Sequence, residues 1–154
     1  MSLPAQTPRL ALRRFTLADL PWLQRLHADE QVMRYCGGTL DAAASETLVH
    51  ERILDYYDSN PGLGVWATVL RATGARVGMH LLNHMHGESL IQVGYILAAE
   101  FWGRGYASEM AAAVLRHGFT TVGLPRIVAI TDRDNHASQR VLLKSGLQHH
   151  GERS

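Results

Sequence analysis

Cysteine and lysine occur once each in this chain, as Cys36 and Lys144. A single thiol cannot form an internal disulfide, which fits a reducing, cytoplasmic setting. Cys36 reads as a bystander loop cysteine rather than a reactive one. Lys144 is the only residue left for Schiff-base chemistry, and it falls at an expected helix C-terminus, where a cation already complements the helix dipole. No apolar run approaches the ~18 residues that a membrane span needs. Met1-Ser2-Leu3-Pro4 lacks the basic and apolar regions of a signal peptide. The net charge is +1 and the 14 arginines are scattered, so neither nucleic acid nor an anionic membrane is an expected partner. There is no G-x-S-x-G elbow for a serine hydrolase and no Gly-Lys-Ser/Thr for Walker-type phosphate binding. Nine histidines raise the question of a metal. His80, His84 and His86 straddle a strand end, however, and do not converge as a zinc site requires, so no metal is expected.

What is present is ordinary globular material: 46% apolar and 19% charged residues. The length suits one domain spanning 1–154. Arg9–Arg13 alternates as a strand. Thr16 with Asp19 resembles a capping box that opens a helix running to about His27, with regular helix starting near Asp19 because of Pro21. A second helix spans about Asp41 to Tyr57, ending before Asn60-Pro61-Gly62. Val65–Leu70 and Arg76–Leu82 flank Thr73-Gly74-Ala75 as a hairpin. A strand over Ile91–Leu97, a glycine loop and a helix follow, then a strand over Arg126–Thr131. A last helix is capped by Asp134 or Asn135 and ended by Gly146. This order predicts an α+β fold.

The glycine loop is the most informative local feature. Phe101-Trp102-Gly103-Arg104-Gly105-Tyr106-Ala107-Ser108 joins a strand to a helix patterned at i, i+3, i+4 through Ala107, Met110, Ala111 and Val114. The amides at such a junction have no helical partner and sit at the positive end of the helix dipole. The loop therefore suits a phosphate or pyrophosphate, with Gly103 and Gly105 allowing close approach and Arg104 adding charge. It also reads as an ordinary tight turn. A dinucleotide fingerprint fits poorly, because Ser108 replaces the third glycine and Asp132 lies 29 residues beyond Gly103 rather than about 20.

Three separated stretches carry a family resemblance: Gly94-Tyr95-Ile96-Leu97, then Phe101 to Glu109, then Asn135 to Gly146. They resemble the GNAT superfamily of acetyl-CoA-dependent N-acetyltransferases, in particular its ribosomal-protein N-terminal acetyltransferase branch. Thr7–Arg13 and Asp29–Tyr35 are similar to that branch as well, so the resemblance covers about residues 7–147. It implies a central, mostly antiparallel sheet flanked by helices and splayed after the fourth strand. Acetyl-CoA would be the cosubstrate. Its pantetheine arm would bond main-chain groups of Tyr95, Ile96 and Leu97 and the side chain of Asn135, and its pyrophosphate would rest on amides from Gly103 to Ser108.

The same resemblance implies direct attack of a neutral amine on the thioester. A main-chain N–H of Ile96 or Leu97 would stabilise the oxyanion, and Ser138 would protonate the departing thiolate. Asn135 is equally a good N-cap, and Glu109 reads as a first-turn anion. Tyr35, Trp66 and His80 are candidates for the acceptor pocket, although the aromatics also suit a core. Many relatives carry glutamate where Gln92 stands, and an amide cannot serve as a base. Deprotonating a lysine-like amine at pH 7 costs about 4.6 kcal/mol, against about 1 kcal/mol for an α-amine. A weakly basic acceptor, such as a protein N-terminus, is therefore expected. Loss of the base also leaves open a CoA-binding protein without turnover. Only Gln148–Ser154 remain where the family adds another strand, so the sheet is expected to lack its last strand or to receive one from a neighbouring chain. An uncovered edge of that kind favours a homodimer or a reduced stability.

Overall fold

The computed structural model describes residues 6–151. The Met1–Pro4 stretch considered above as a leader and the last residues of the Gln148–Ser154 tail lie outside that range. The chain forms a four-stranded antiparallel sheet in the order β1-β2-β3-β4, from Leu10–Arg14, Gly64–Leu70, Arg76–His84 and Ile91–Leu97. Between β1 and β2 run α1 (Leu20–Ala28), the short α2 (Glu30–Met33), α3 (Ala42–Leu48) and α4 (Asp55–Ser59). The last two are one continuous helix, widened by a π-type turn over Val49–Leu54. Helix α5 (Tyr106–Arg116) follows β4 and widens likewise over His117–Val122, and α6 (His136–Lys144) comes last.

β2 is apolar and buried almost from end to end because it lies between β1 and β3 with helices over the sheet. Leu10, Leu23, Val49, Ile53, Trp66, Val77, Leu82, Met110 and Val114 are all at most 1% exposed and belong to one continuous core. Asp41 caps α3 through the Ala44 amide at 2.8 Å, and Asp29 caps α2 through Gln31 and Val32.

The turn into α1 is tied by a buried carboxylate. Asp19 is 3% exposed and accepts from both terminal nitrogens of Arg13 at 2.9 Å, from Arg76 at 3.0 Å and from the Thr16 amide at 3.0 Å. The Arg13 hydrogen bonds, opposed by burial and aided by Thr16 and Arg76, hold its pKa down at about 2. Asp19→Ala leaves two guanidinium groups without their acceptor and is expected to cost about 2 kcal/mol in urea unfolding. A loss under about 0.5 kcal/mol would show the cluster to be ornamental.

The segment after α5 departs from the sequence expectation. Instead of a strand over Arg126–Thr131 there is one parallel bridge, Gln92 to Val128. The Val93 amide donates to Val128 O at 2.9 Å and the Val128 amide to Ile91 O at 3.0 Å, and the two segments then part. Ile127, 7% exposed, packs directly over Gly118, where a Cβ would lie 2.6 Å from Ile127 Cδ1. That contact seats the start of the segment, while nothing continues its ladder along β4. Among the described residues no strand follows it, α6 buries no residue completely, and Ile130 and Leu143 are 54% and 53% exposed.

Candidate functional site

The parting of β4 from the Val128 segment leaves half of a strand edge open. Main-chain groups alternate sides along a strand. Since Ile91 O and Val93 N face Val128, those of Tyr95 and Leu97 face the same way. Ile96 turns toward β3, where its carbonyl oxygen lies 2.2 Å from the place a Gly78 Cβ would occupy. Of the three expected main-chain contacts, Tyr95 and Leu97 are therefore directed into the gap and Ile96 is not. The same geometry removes the Ile96 amide as an oxyanion donor and leaves that of Leu97, whose carbonyl is held by Trp102 Nε1 at 2.9 Å.

The glycine loop lies just beyond this edge. Gly103 and Gly105 adopt φ of +76° and +80°, conformations that side chains resist. No atom lies within 4 Å of a Cβ placed on Gly103, while the Arg9 guanidinium lies 3.4 Å from one on Gly105. The first α5 amide with a helical acceptor is that of Glu109, on Gly105 O at 3.1 Å, so the amides of Tyr106, Ala107 and Ser108 precede the ladder. Arg104 is exposed, with its guanidinium 5.9 Å from the Phe101 ring centroid. The Ser108 hydroxyl donates to Gly105 O at 3.3 Å.

The helix start is anchored from a distance in sequence. Glu109 accepts from the Thr7 hydroxyl at 2.6 Å, the Arg9 amide at 3.1 Å and Arg9 Nε at 2.7 Å. Partial burial alone would raise its pKa, but these bonds bring the carboxyl below its ordinary value. The Arg9 guanidinium also covers the Tyr106 ring at 4.4 Å. Arg9 was not legible as a site residue, because its partner lies 100 positions away.

Helix α6 brings the third stretch to the gap. Asn135 Oδ1 caps it by accepting the Ser138 amide at 3.1 Å, which leaves the Asn135 amide nitrogen as its donor. Burial raises the pKa of the Tyr95 phenol, partly offset by the nearby Ser138 side chain. Cys36 is exposed in the loop after α2. Tyr35, in the same loop, is half-buried under Arg34, 5.0 Å from its ring centroid. Thr131 lies at the end of the diverging segment. Its hydroxyl oxygen is buried without a hydrogen-bond partner among the described residues, and no sequence pattern marked it.

Two acceptor-pocket candidates are corrected. Trp66 is 1% exposed on the central strand, edge-on to His117 at 6.1 Å. His80 is 0% exposed; its Nδ1 accepts from the Thr68 hydroxyl at 2.7 Å and its Nε2 donates to Ala107 O at 3.0 Å. Neither side chain reaches a surface where a substrate could touch it, because β2 and β3 are the middle of the sheet. Gln92 shares the Asn83 face of the sheet and donates Nε2 to Asn83 Oδ1 at 3.1 Å, whereas Tyr95 lies on the His80 face. No group of three or more His, Cys, Asp or Glu among the described residues could hold a metal. No helix among them is long and apolar enough to cross a membrane. A groove of about 500 Å³ between Thr7, Glu109, Ala113, Arg116 and Thr120 shares no residue with this gap.

Comparison with known proteins accounts for this arrangement. A family model described as an acetyltransferase (GNAT) domain matches residues 9–148. The uncharacterized N-acetyltransferase YoaA of Bacillus subtilis (strain 168) is 31% identical over 150 residues, covering 95% of this chain and 83% of YoaA. Spermidine N(1)-acetyltransferase of Escherichia coli (strain K12) is 27% identical, covering 92% and 74%. The crystal structure of an acetyltransferase from Agrobacterium tumefaciens str. C58 superposes with a TM-score of 0.83 at 27% identity, covering 93% and 82%. A strand edge opened beside a glycine-turned helix start, within a match spanning nearly the whole chain, makes this protein a member of the GNAT family and an acetyl-CoA-dependent N-acetyltransferase.

Proposed function

We propose that the acceptor is a weakly basic primary amine, with a peptide or protein N-terminal α-amine as the preferred class. The observation that carries this reading is Gln92, whose amide donates to Asn83 and which can take no proton from an ammonium group. A strongly basic amine would have to arrive already neutral at a large cost, whereas an α-amine does so cheaply. Acetyl-CoA fits the donors present. The amides that precede the α5 ladder and Arg104 suit its diphosphate, the Tyr95 and Leu97 main chain suits its amide-bearing arm, and the buried Thr131 hydroxyl has no partner among the described residues.

In this reading the amine nitrogen attacks the thioester carbonyl and the Leu97 amide receives the developing oxyanion. Ser138, set in the first turn of α6 by Asn135, delivers a proton to the leaving sulfur. The spermidine-acetylating relative makes polyamines the rival acceptor class. Thiol release should be measured with acetyl-CoA and equal concentrations of Ser- or Ala-initiated peptides, their N-blocked lysine-containing analogues, and spermidine. The free α-amine is expected to lead by at least ~10-fold in kcat/KM, the equivalent of about 1.4 kcal/mol. Spermidine or lysine side chains turning over faster would overturn the assignment.

A further inference from the structure

Arg9 enters the site above only as an anchor for Glu109. We propose that its guanidinium is also a ligand of the acetyl-CoA diphosphate, bonding the phosphate oxygens from the β1 side while the first α5 amides hold them end-on. The inference rests on the reading that seats the diphosphate at the start of α5. It adds to that seat a side chain from the far end of the sequence.

The guanidinium is only partly used within the protein. Its Nε donates to Glu109 Oε1 at 2.7 Å, and neither terminal nitrogen makes a hydrogen bond among the described residues. A guanidinium carries its N–H donors in one planar fork, so most of them remain available. Nη2 lies 3.4 Å from the place a Gly105 Cβ would occupy, and Gly105 O accepts the first bond of the α5 ladder. The unused fork is thus laid against the turn that immediately precedes the Tyr106, Ala107 and Ser108 amides. About half of the side chain is exposed, so a ligand can reach it.

The fork is held in place before any ligand arrives. The Arg71 amide donates to Arg9 O at 3.0 Å and the Arg9 amide to Glu109 Oε2 at 3.1 Å, which fixes the backbone. The Nε bond fixes the root of the guanidinium, and the Tyr106 ring, 4.4 Å away, fixes its plane. Little side-chain freedom is left to lose on binding. Charge gives a second reason for an arginine here. Glu109 places a carboxylate in the first turn of α5, where without a counter-ion it would repel a diphosphate. Arg9 offsets that charge through Nε and still offers planar donors that match phosphate oxygens. The compact ammonium of a lysine could do the first but not both.

The test is calorimetric titration of wild type, Arg9→Gln, Arg9→Lys and the double variant Arg9→Gln/Glu109→Gln. The ligands are CoA, dephospho-CoA, which lacks the 3′-phosphate but keeps the diphosphate, and pantetheine, which has no phosphate. Arg9→Gln is expected to raise Kd for CoA and dephospho-CoA about 10-fold, to leave pantetheine within about twofold, and to make Kd less sensitive to added salt. Arg9→Lys keeps a cation beside Glu109, so the fold should persist, and should still lose at least about threefold. The double variant should stay weak, because relieving Glu109 restores no donor. Affinities within about twofold of wild type, an equal loss with pantetheine, a loss with CoA but not dephospho-CoA, an unchanged salt dependence, or recovery in the double variant would each overturn the proposal. Wild type that binds dephospho-CoA no more tightly than pantetheine would instead overturn the seating of the diphosphate on which it stands.

Discussion

Gly78→Ala should cost about 3 kcal/mol of stability and lower the melting temperature by about 10 °C. A Cβ there would lie 2.2 Å from Ile96 O and 2.7 Å from Leu97 Cα. Both are backbone atoms, so no side-chain rotation relieves the clash, and β4 must move away from β3 where Gly78 pairs with Leu97. That end of β4 carries the Tyr95 and Leu97 groups turned into the gap, so affinity for acetyl-CoA should fall together with stability. Gly103→Ala is the control. Its added Cβ meets nothing within 4 Å, and only the φ of +76° is strained, for about 1 kcal/mol. Differential scanning calorimetry on the two variants, with and without CoA, separates steric from conformational cost. Equal shifts in the two would contradict the close approach of the strands.

Acidification is the second large effect expected. Burial pushes the His80 pKa down to about 4, partly offset by its bond to Ala107 O, while an unfolded chain would hold it near 6.5. Between those values the unfolded state binds the extra proton. Stability therefore rises with pH through this window and falls on acidification from about 6.5 toward 4. From pH 7 to 4.5 the loss attributable to His80 is about 2–3 kcal/mol. His27, 2% exposed and bonded to Ser45 at 2.7 Å, is shifted in the same direction by burial. Asp19 acts lower down, since its depressed pKa gives stability that is present above about pH 4 and lost on approach to its value of about 2. Urea unfolding at pH 7, 5.5 and 4.5 tests this, with His80→Gln as comparison. The variant should be weaker at pH 7 but flatter with pH, and parallel curves would remove the assignment.

What could be read from sequence was whatever depends on neighbours along the chain. The period-2 strands, the hairpin at Thr73-Gly74-Ala75, the caps at Asp41 and Asn135 and the glycine turn before α5 are local choices of φ, ψ and hydrogen bonding. They came out within a residue or two. The GNAT motifs were legible because they are such local segments, and the family match covers them. The fate of a strand-like segment is another matter. Ile127-Val128-Ala129-Ile130 has strand composition, yet only Val128 finds a bridge, since a ladder needs a parallel neighbour that remains alongside.

Side chains facing the sheet were beyond sequence reading for the same reason. A tryptophan or histidine at strand spacing looks alike whether it lines a pocket or fills a core. Trp66 and His80 were assigned to the interior only by the pairing of β2 between β1 and β3. Likewise the Arg9–Glu109 anchor and the seating of Tyr95 on His80 join residues far apart in the chain. Sequence alone determined that this chain has a GNAT-type loop and helix start, because backbone amides and glycine angles are set over a few consecutive residues. Tertiary structure decided which main-chain groups of β4 open into the gap and which side chains converge on it, because strand register and burial are properties of the assembled sheet.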